Sequence, residues 1–241
     1  MATHLGCIGL GTGGEQDFQR LVAQASKEAQ QQEVVRDVRV RRWEDGSGAA
    51  VVLGWRGGQL ISFMPSFAAT SGVRLANCFP VREPVAIADV QEPDGTPITA
   101  LAAELEQYRQ LVAAGRPAGG MARIAAFGLR VMLHDDEQAF LAAPKGPHDA
   151  TAPADFEPFG AFAEPAKVQA HARLTGTIIK AERRFSWLTS HPFTVAITRT
   201  AGFEIDLCLA GDEHPDVPAP GTIVTGIVSL SARLGALSAY Q

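Results

Sequence analysis

Cysteine is scarce. Cys7, Cys78 and Cys208 are the only three in the 241 residues, far apart and outside any C-x-x-C pattern. An odd count at such spacings argues against a disulfide framework and against a structural zinc site. The expectation is three small buried hydrophobes in a reducing compartment, and no metal or other cofactor. Long apolar runs are absent too. No stretch approaches the ~18 residues of a membrane helix. The apolar segment Leu5–Leu10 is broken by glycine and preceded by no Lys or Arg, so no signal segment is expected. These features point to a cytoplasmic protein that does not meet a membrane. Basic charge is in deficit: the net charge is -5, with a pI of about 5.7. That balance disfavours a protein that coats nucleic acid.

Nucleophile and phosphate signatures are also missing. The chain has no G-x-S-x-G elbow, no H-E-x-x-H, no Walker A sequence and no S-x-x-K with plausible partners. No repeat recurs at a fixed solenoid period. What is present is apolar material for a core, 46 % of residues against 20 % charged. Collagen-like, mucin-like and wholly disordered chains are excluded by those values. Arginine greatly outnumbers lysine, a bias associated with GC-rich bacterial coding.

Periodicity divides the chain. Phe18, Leu21, Val22, Ala25 and Ala29 recur at helical spacing, predicting a helix over 15–33 with Glu15 and Asp17 in its first turn. From Val34 the period falls to two. Val38, Val40 and Trp43 alternate with Arg39, Arg41 and Arg42, and turns at Glu44–Gly48 and Arg56–Gly58 read as an antiparallel meander. Strand-like stretches follow near 73–79 and 85–90. Thr96-Pro97 reads as a helix start, with Leu101, Leu105, Tyr108, Leu111 and Val112 as its stripe through about residue 114. Met121–Leu133 and Gln138–Ala143 read as two strands around His134-Asp135-Asp136-Glu137.

Residues 144–166 hold five prolines and read as a linker or docking arm between an N-terminal α+β domain (1–143) and a C-terminal β-barrel-like domain (167–241). Phe156, Phe159 and Phe162, three apart, would anchor that arm on a surface of its own chain or of another. The expected fold class is α+β, mostly antiparallel β with two main helices.

Gly9-Leu10-Gly11-Thr12-Gly13-Gly14 matches G-x-G-x-x-G, but the chain beyond it runs into hairpins, so a glycine-rich helix entry is the expectation. The best binding candidates are Arg183, Arg184, Phe185, Trp187 and His191, basic and aromatic residues in one short stretch that could clamp an anion or stack on a ring. Residues 168–234 resemble an OB-like barrel. Their first strand is long with Gly176 at its centre, a hairpin follows, and Pro220–Val228 carries Gly226 as a closing strand does. That resemblance implies binding at the loop after the first strand, residues 182–192.

Two functions remain open. The first is a non-catalytic binding or assembly protein, partnered by itself, by another protein or by a small molecule, with nucleic acid disfavoured. The alternative is a small-molecule enzyme with a pocket at a barrel mouth or between the two parts. His134, His191, Asp212 and His214 would be its acid–base groups.

Overall fold

The computed structural model describes residues 2–146, 150–160, 164 and 167–235, and the backbone of 238–239. A 3-10 turn, Gly6–Ile8, leads into α1 (Glu15–Glu28), which buries Leu21, Val22 and Ala25 as the stripe requires. The helix stops short of the expected residue 33. Gln31–Val35 instead form β1, paired with β2 (Val38–Glu44). The strands β3 (Ala49–Arg56) and β4 (Gln59–Phe67) complete a four-stranded meander. Gly57 and Gly58, with φ of 57° and 84°, are both left-handed, as a tight two-residue hairpin requires.

The rest of the chain builds one larger β structure. Its strands are β5 (Gly72–Arg82), β6 (Val85–Gln91), β7 (Pro97–Leu105), β8 (Ala118–His134), β9 (Asp155–Pro158), β10 (His171–Phe185), β11 (Pro192–Arg199), β12 (Glu204–Ala210), β13 (Ile223–Leu234) and the short β14 (Ser238–Ala239) on β8. The fold is α+β and mostly antiparallel. Two closed circuits of five strands share β8 and β13. In one, β5, β6 and β7 run antiparallel, and β7 then lies parallel to β13. In the other, β10, β11 and β12 run antiparallel, and β12 lies parallel to β8. The antiparallel pairings β8–β5, β10–β13 and β8–β13 close both circuits. One apolar core fills them, with Leu75, Leu105 and Ile124 packed in the same cluster as Leu174, Leu207 and Leu230. The glycines noted in the sequence sit at tight crossings. A Cβ on Gly176 would lie 2.5 Å from the Arg199 carbonyl oxygen, and one on Gly226 would lie 2.1 Å from that of Arg130.

Two sequence expectations need correction. The helix expected from residue 97 is strand β7 followed by the short α2 (Tyr108–Ala114). Leu101, Ala103 and Leu105 alternate into the core, so pairing with β6 overrides a leucine spacing that also fits a helix. The strand expected over 138–143 is α3 (Glu137–Ala142). Asp136 caps it by accepting a 2.7 Å hydrogen bond from the Ala139 N–H, and Phe140 is buried. Within 144–166, β9 pairs with β10 of the same chain. Its Phe156 is buried and meets Phe203 edge-on, with ring centres 5.1 Å apart. Strand β8 precedes this segment and β10 and β13 follow it, and all three belong to one circuit.

The meander lies between α1 and the outside of the barrel. On its helix face Trp43, Val51 and Leu53 cluster with Leu21, Val22 and Ala25. On its barrel face a buried charge network forms the seam. Glu106 accepts from the Ser66 hydroxyl at 2.5 Å and from Arg42 Nε at 2.8 Å, and Arg233 Nε stands 3.5 Å away. Arg42 also pairs with Glu44. Burial alone would lower the Arg42 pKa, but Glu106 and Glu44 outweigh it and hold the guanidinium above its ordinary value.

Candidate functional site

Alternation along β2 separates its three arginines. Arg42 points into the seam, while Arg39 and Arg41 share the opposite face. Strand register then sets their neighbours. Arg39 lies between Val34 on β1 and Trp55 on β3, and Arg41 lies between Gln32 and Leu53. The last turn of α1 comes down beside this face, and Arg41 Nη1 donates to the Ser26 carbonyl at 2.9 Å. A cation suits that helix end, where carbonyls are unpaired.

Ser26, Arg39, Arg41 and Trp55 line a cleft of about 390 Å³ together with the Gly57-Gly58 turn. That volume lies within the usual range for small-ligand sites, ~300–1,000 Å³. Its polar groups are incompletely used. Arg39 is exposed and has no hydrogen bond or ion pair among the described residues. The Ser26 hydroxyl and the Trp55 indole nitrogen are buried without a partner. Asp37, the acid at the rim, is held by Arg56 at 2.8 Å. An exposed guanidinium beside an indole can bind an anionic head and stack a flat ring.

No family model, curated protein or solved structure matches this chain. The site is therefore read from its own chemistry.

The binding residues expected from the sequence lie elsewhere, in and around the turn after β10. The turn after β10 leans on the β2–β3 hairpin: the Trp187 N–H donates to Asp45 at 2.8 Å, and Arg184 Nη1 donates to the Ser47 carbonyl at 2.9 Å. Arg184 also binds Glu182 at 2.5 Å and covers the Phe67 ring. Arg183 donates to the Pro215 carbonyl at 2.5 Å. Both arginines are thus engaged within the fold. Phe185 and Trp187 remain 57 % and 75 % exposed, and Trp187 packs on Gly46, where an added Cβ would lie 1.9 Å from the ring. His191 is exposed and, with Arg20 and Gly13, lines a cleft of about 350 Å³ at the start of α1. Asp17 takes the Gly13 N–H there, 3.2 Å away, so a carboxylate already occupies the helix entry. On the arm, Phe156 is core, Arg173 lies over the half-buried Phe159, and Phe162 is outside the described residues.

The acid–base candidates do not converge. The His134 ring packs edge-on against Phe140, and the His214 N–H donates to the Ala210 carbonyl at 2.9 Å. No hydrogen bond or ion pair joins His134, His191, Asp212 and His214 among the described residues. Nor do three or more His, Cys, Asp or Glu residues there make a metal site. The sequence did contain a signal for the cleft. The i, i+2 spacing of Arg39 and Arg41 puts two cations on one face, but Trp55 joins them only through strand register.

Proposed function

We propose that this chain is a non-catalytic binding protein for a small anion carrying a flat ring, held between α1 and the meander. The observation that carries this reading is the exposed, unpaired Arg39 directly across the strand pair from Trp55. Arg39 and Arg41 would take the carboxylate or phosphate head, and the indole face would take the ring. The OB-like reading of residues 168–234 is kept with one change: β10, β11, β12 and β13 close a five-strand circuit, with one parallel pair, only by taking β8 from the N-terminal part.

Isothermal titration at low ionic strength tests the reading, with inorganic phosphate, benzoate and adenosine monophosphate as probes. Binding by benzoate or the nucleotide, with a change in tryptophan emission, weakening by salt and loss in Arg39→Gln, is the expected result. No heat with any of the three, or unchanged binding in Arg39→Gln, refutes it.

A further inference from the structure

One row of the barrel wall sets like charges side by side. Register places Gly72 of β5, Arg123 of β8 and Arg233 of β13 directly across from one another. Residues so paired share a face of the sheet, with neighbouring Cβ atoms about 4.5–5.5 Å apart. Two cations at that spacing repel, and a negative group between them turns the repulsion into attraction. The glycine leaves the other flank of Arg123 uncovered: a Cβ added to Gly72 would meet nothing nearer than the Met121 methyl group at 3.8 Å. All three residues line a cleft of about 250 Å³, together with Met121, Leu234 and Gly235.

The two guanidiniums are unequally spent. Arg233 directs Nε at Glu106, 3.5 Å away, and Nη2 at the Gln31 amide oxygen, 3.3 Å away. Its Nη1 has no partner and is not shut off from solvent. Arg123 is exposed and bonds only the Thr70 carbonyl, through Nη1, so Nε and Nη2 are left over. The acids along this face are engaged. Glu106 is held by Ser66 and Arg42. Asp206, which pairs with Ala125 two residues along β8, takes three hydrogen bonds from Thr70 and Ser71. In the next row Arg74 pairs with Met121 on the same face, and it too has no hydrogen bond or ion pair among the described residues.

These charges select the ligand. A cation would meet Arg123 and Arg74 with no free carboxylate to hold it. A planar carboxylate presents one edge and so satisfies one guanidinium fork. A tetrahedral oxyanion has oxygens on every side and can accept from Arg123 and Arg233 together. The cleft is also smaller than the ~300–1,000 Å³ usual for drug-sized ligands, which suits a compact ion.

We infer that the cleft between Arg123 and Arg233 binds a tetrahedral dianion, a sulfate or phosphate group, independently of the anion cleft beside α1. Titration with sodium sulfate, followed by NMR on Arg39→Gln protein in which the other cleft lacks Arg39, tests it. Sodium chloride at matched ionic strength is the control. Sulfate shifts the Nε–H signals of Arg123 and Arg233 and chloride does not. Arg123→Gln in the same background weakens binding about tenfold or more, the loss of one charge-assisted pair. Gly72→Asp, for which the backbone has room, sets a carboxylate across from Arg123 and weakens sulfate binding as much without removing either arginine. Glycerol 3-phosphate separates the sources of the group: binding tighter than sulfate assigns the site to the head of a phosphate ester, and binding no tighter assigns it to the free ion. The inference is overturned if sulfate moves neither signal, if chloride moves them equally, or if either folded variant keeps the sulfate affinity of its parent. Failure here leaves the anion reading intact, since that is judged on benzoate and the nucleotide.

Discussion

Strands β5–β8 and β10–β13 follow the same course, yet they are finished differently on the outside. The register makes them comparable residue by residue. Ser231 and Ala125 lie opposite each other where β13 meets β8. Glu104 of β7 pairs with Ser231, and Asp206 of β12 pairs with Ala125. Glu104 and Asp206 are therefore counterparts, as are Glu106 and Cys208 two residues on. All four stand on outward positions, where the two circuits meet the rest of the molecule. In the second half, Asp206 is buried and takes three hydrogen bonds, from the backbone N–H groups of Thr70 and Ser71 at 2.8 and 2.9 Å and from the Thr70 hydroxyl at 3.0 Å. Its neighbour Cys208 is wholly buried, and burial raises its thiol pKa well above the ordinary value. In the first half the assignment shifts by two residues. Glu106 anchors Ser66 and Arg42, while Glu104 has no hydrogen bond among the described residues. The chain from Ser66 to Ser71 thus crosses the barrel pinned at both ends, by one carboxylate from each half. The strand order is shared; the outward carboxylate that does structural work is not.

The strongest way to break this arrangement is at the seam. Glu106→Ala leaves Arg42, 7 % exposed, without its buried partner. Removing one member of such a pair costs about 3–5 kcal/mol, read as a lower urea midpoint with an unchanged slope. Asp206→Ala strands two backbone N–H groups and a hydroxyl at the other end of the crossing. A loss of about 3 kcal/mol is expected there. If either change costs less than 1 kcal/mol, the crossing segment is held by its apolar contacts and the two-anchor account fails.

Glu104 sharpens the comparison, because it has the same place in the circuit without the donors. Its folded pKa, about 7, stands above the ordinary 4.5 because burial disfavours the charged form. The stability linked to its proton is therefore fully present below pH 4.5 and is lost as pH rises through about 7. Glu104→Gln removes that dependence. The variant should gain on the parent protein between pH 5 and pH 8, by an amount on the order of 1–3 kcal/mol. Urea midpoints at the two pH values measure it. Parallel shifts in both proteins would show that Glu104 is solvated and that the asymmetry between the halves has no energetic content.

How much of this was legible in the sequence depended on range. The stripe of α1 and the Gly57-Gly58 hairpin are local, and both were readable from residue type and spacing. Leu101 and Leu105 were misread because four-residue spacing fits a helix face as well as alternate positions on a strand, and only the pairing of β7 with β6 decides between them. The shared strands β8 and β13 were readable as strands, but their pairing was not, since partners such as Ser231 and Glu104 lie more than a hundred residues apart. The site followed the same rule. Arg39 and Arg41 are visible as part of a basic strand, whereas the turn at 183–191 stands out by its aromatic and basic composition. Composition does not reveal that Asp45 and Ser47 already hold that turn in place.

The last comparison lies within one strand. Arg39 and Arg42 are three residues apart on β2 and face opposite sides of the meander, one exposed and unpaired, the other buried among carboxylates. If exposure and partners decide what an arginine does, the same substitution should separate the two roles. Arg42→Gln should destabilise the fold by about 3–5 kcal/mol, because Glu106 is then buried without its cation. Arg39→Gln should stay within about 0.5 kcal/mol of the parent protein, as surface changes that break no contact do, while anion binding is lost. Thermal melts with and without benzoate check both at once: in the parent protein the ligand raises the midpoint, and in Arg39→Gln the unliganded midpoint is kept and the rise disappears. A stability loss in Arg39→Gln as large as that in Arg42→Gln would mean that Arg39 serves the fold, and the cleft would lose the cation that the anion reading assigns to the ligand.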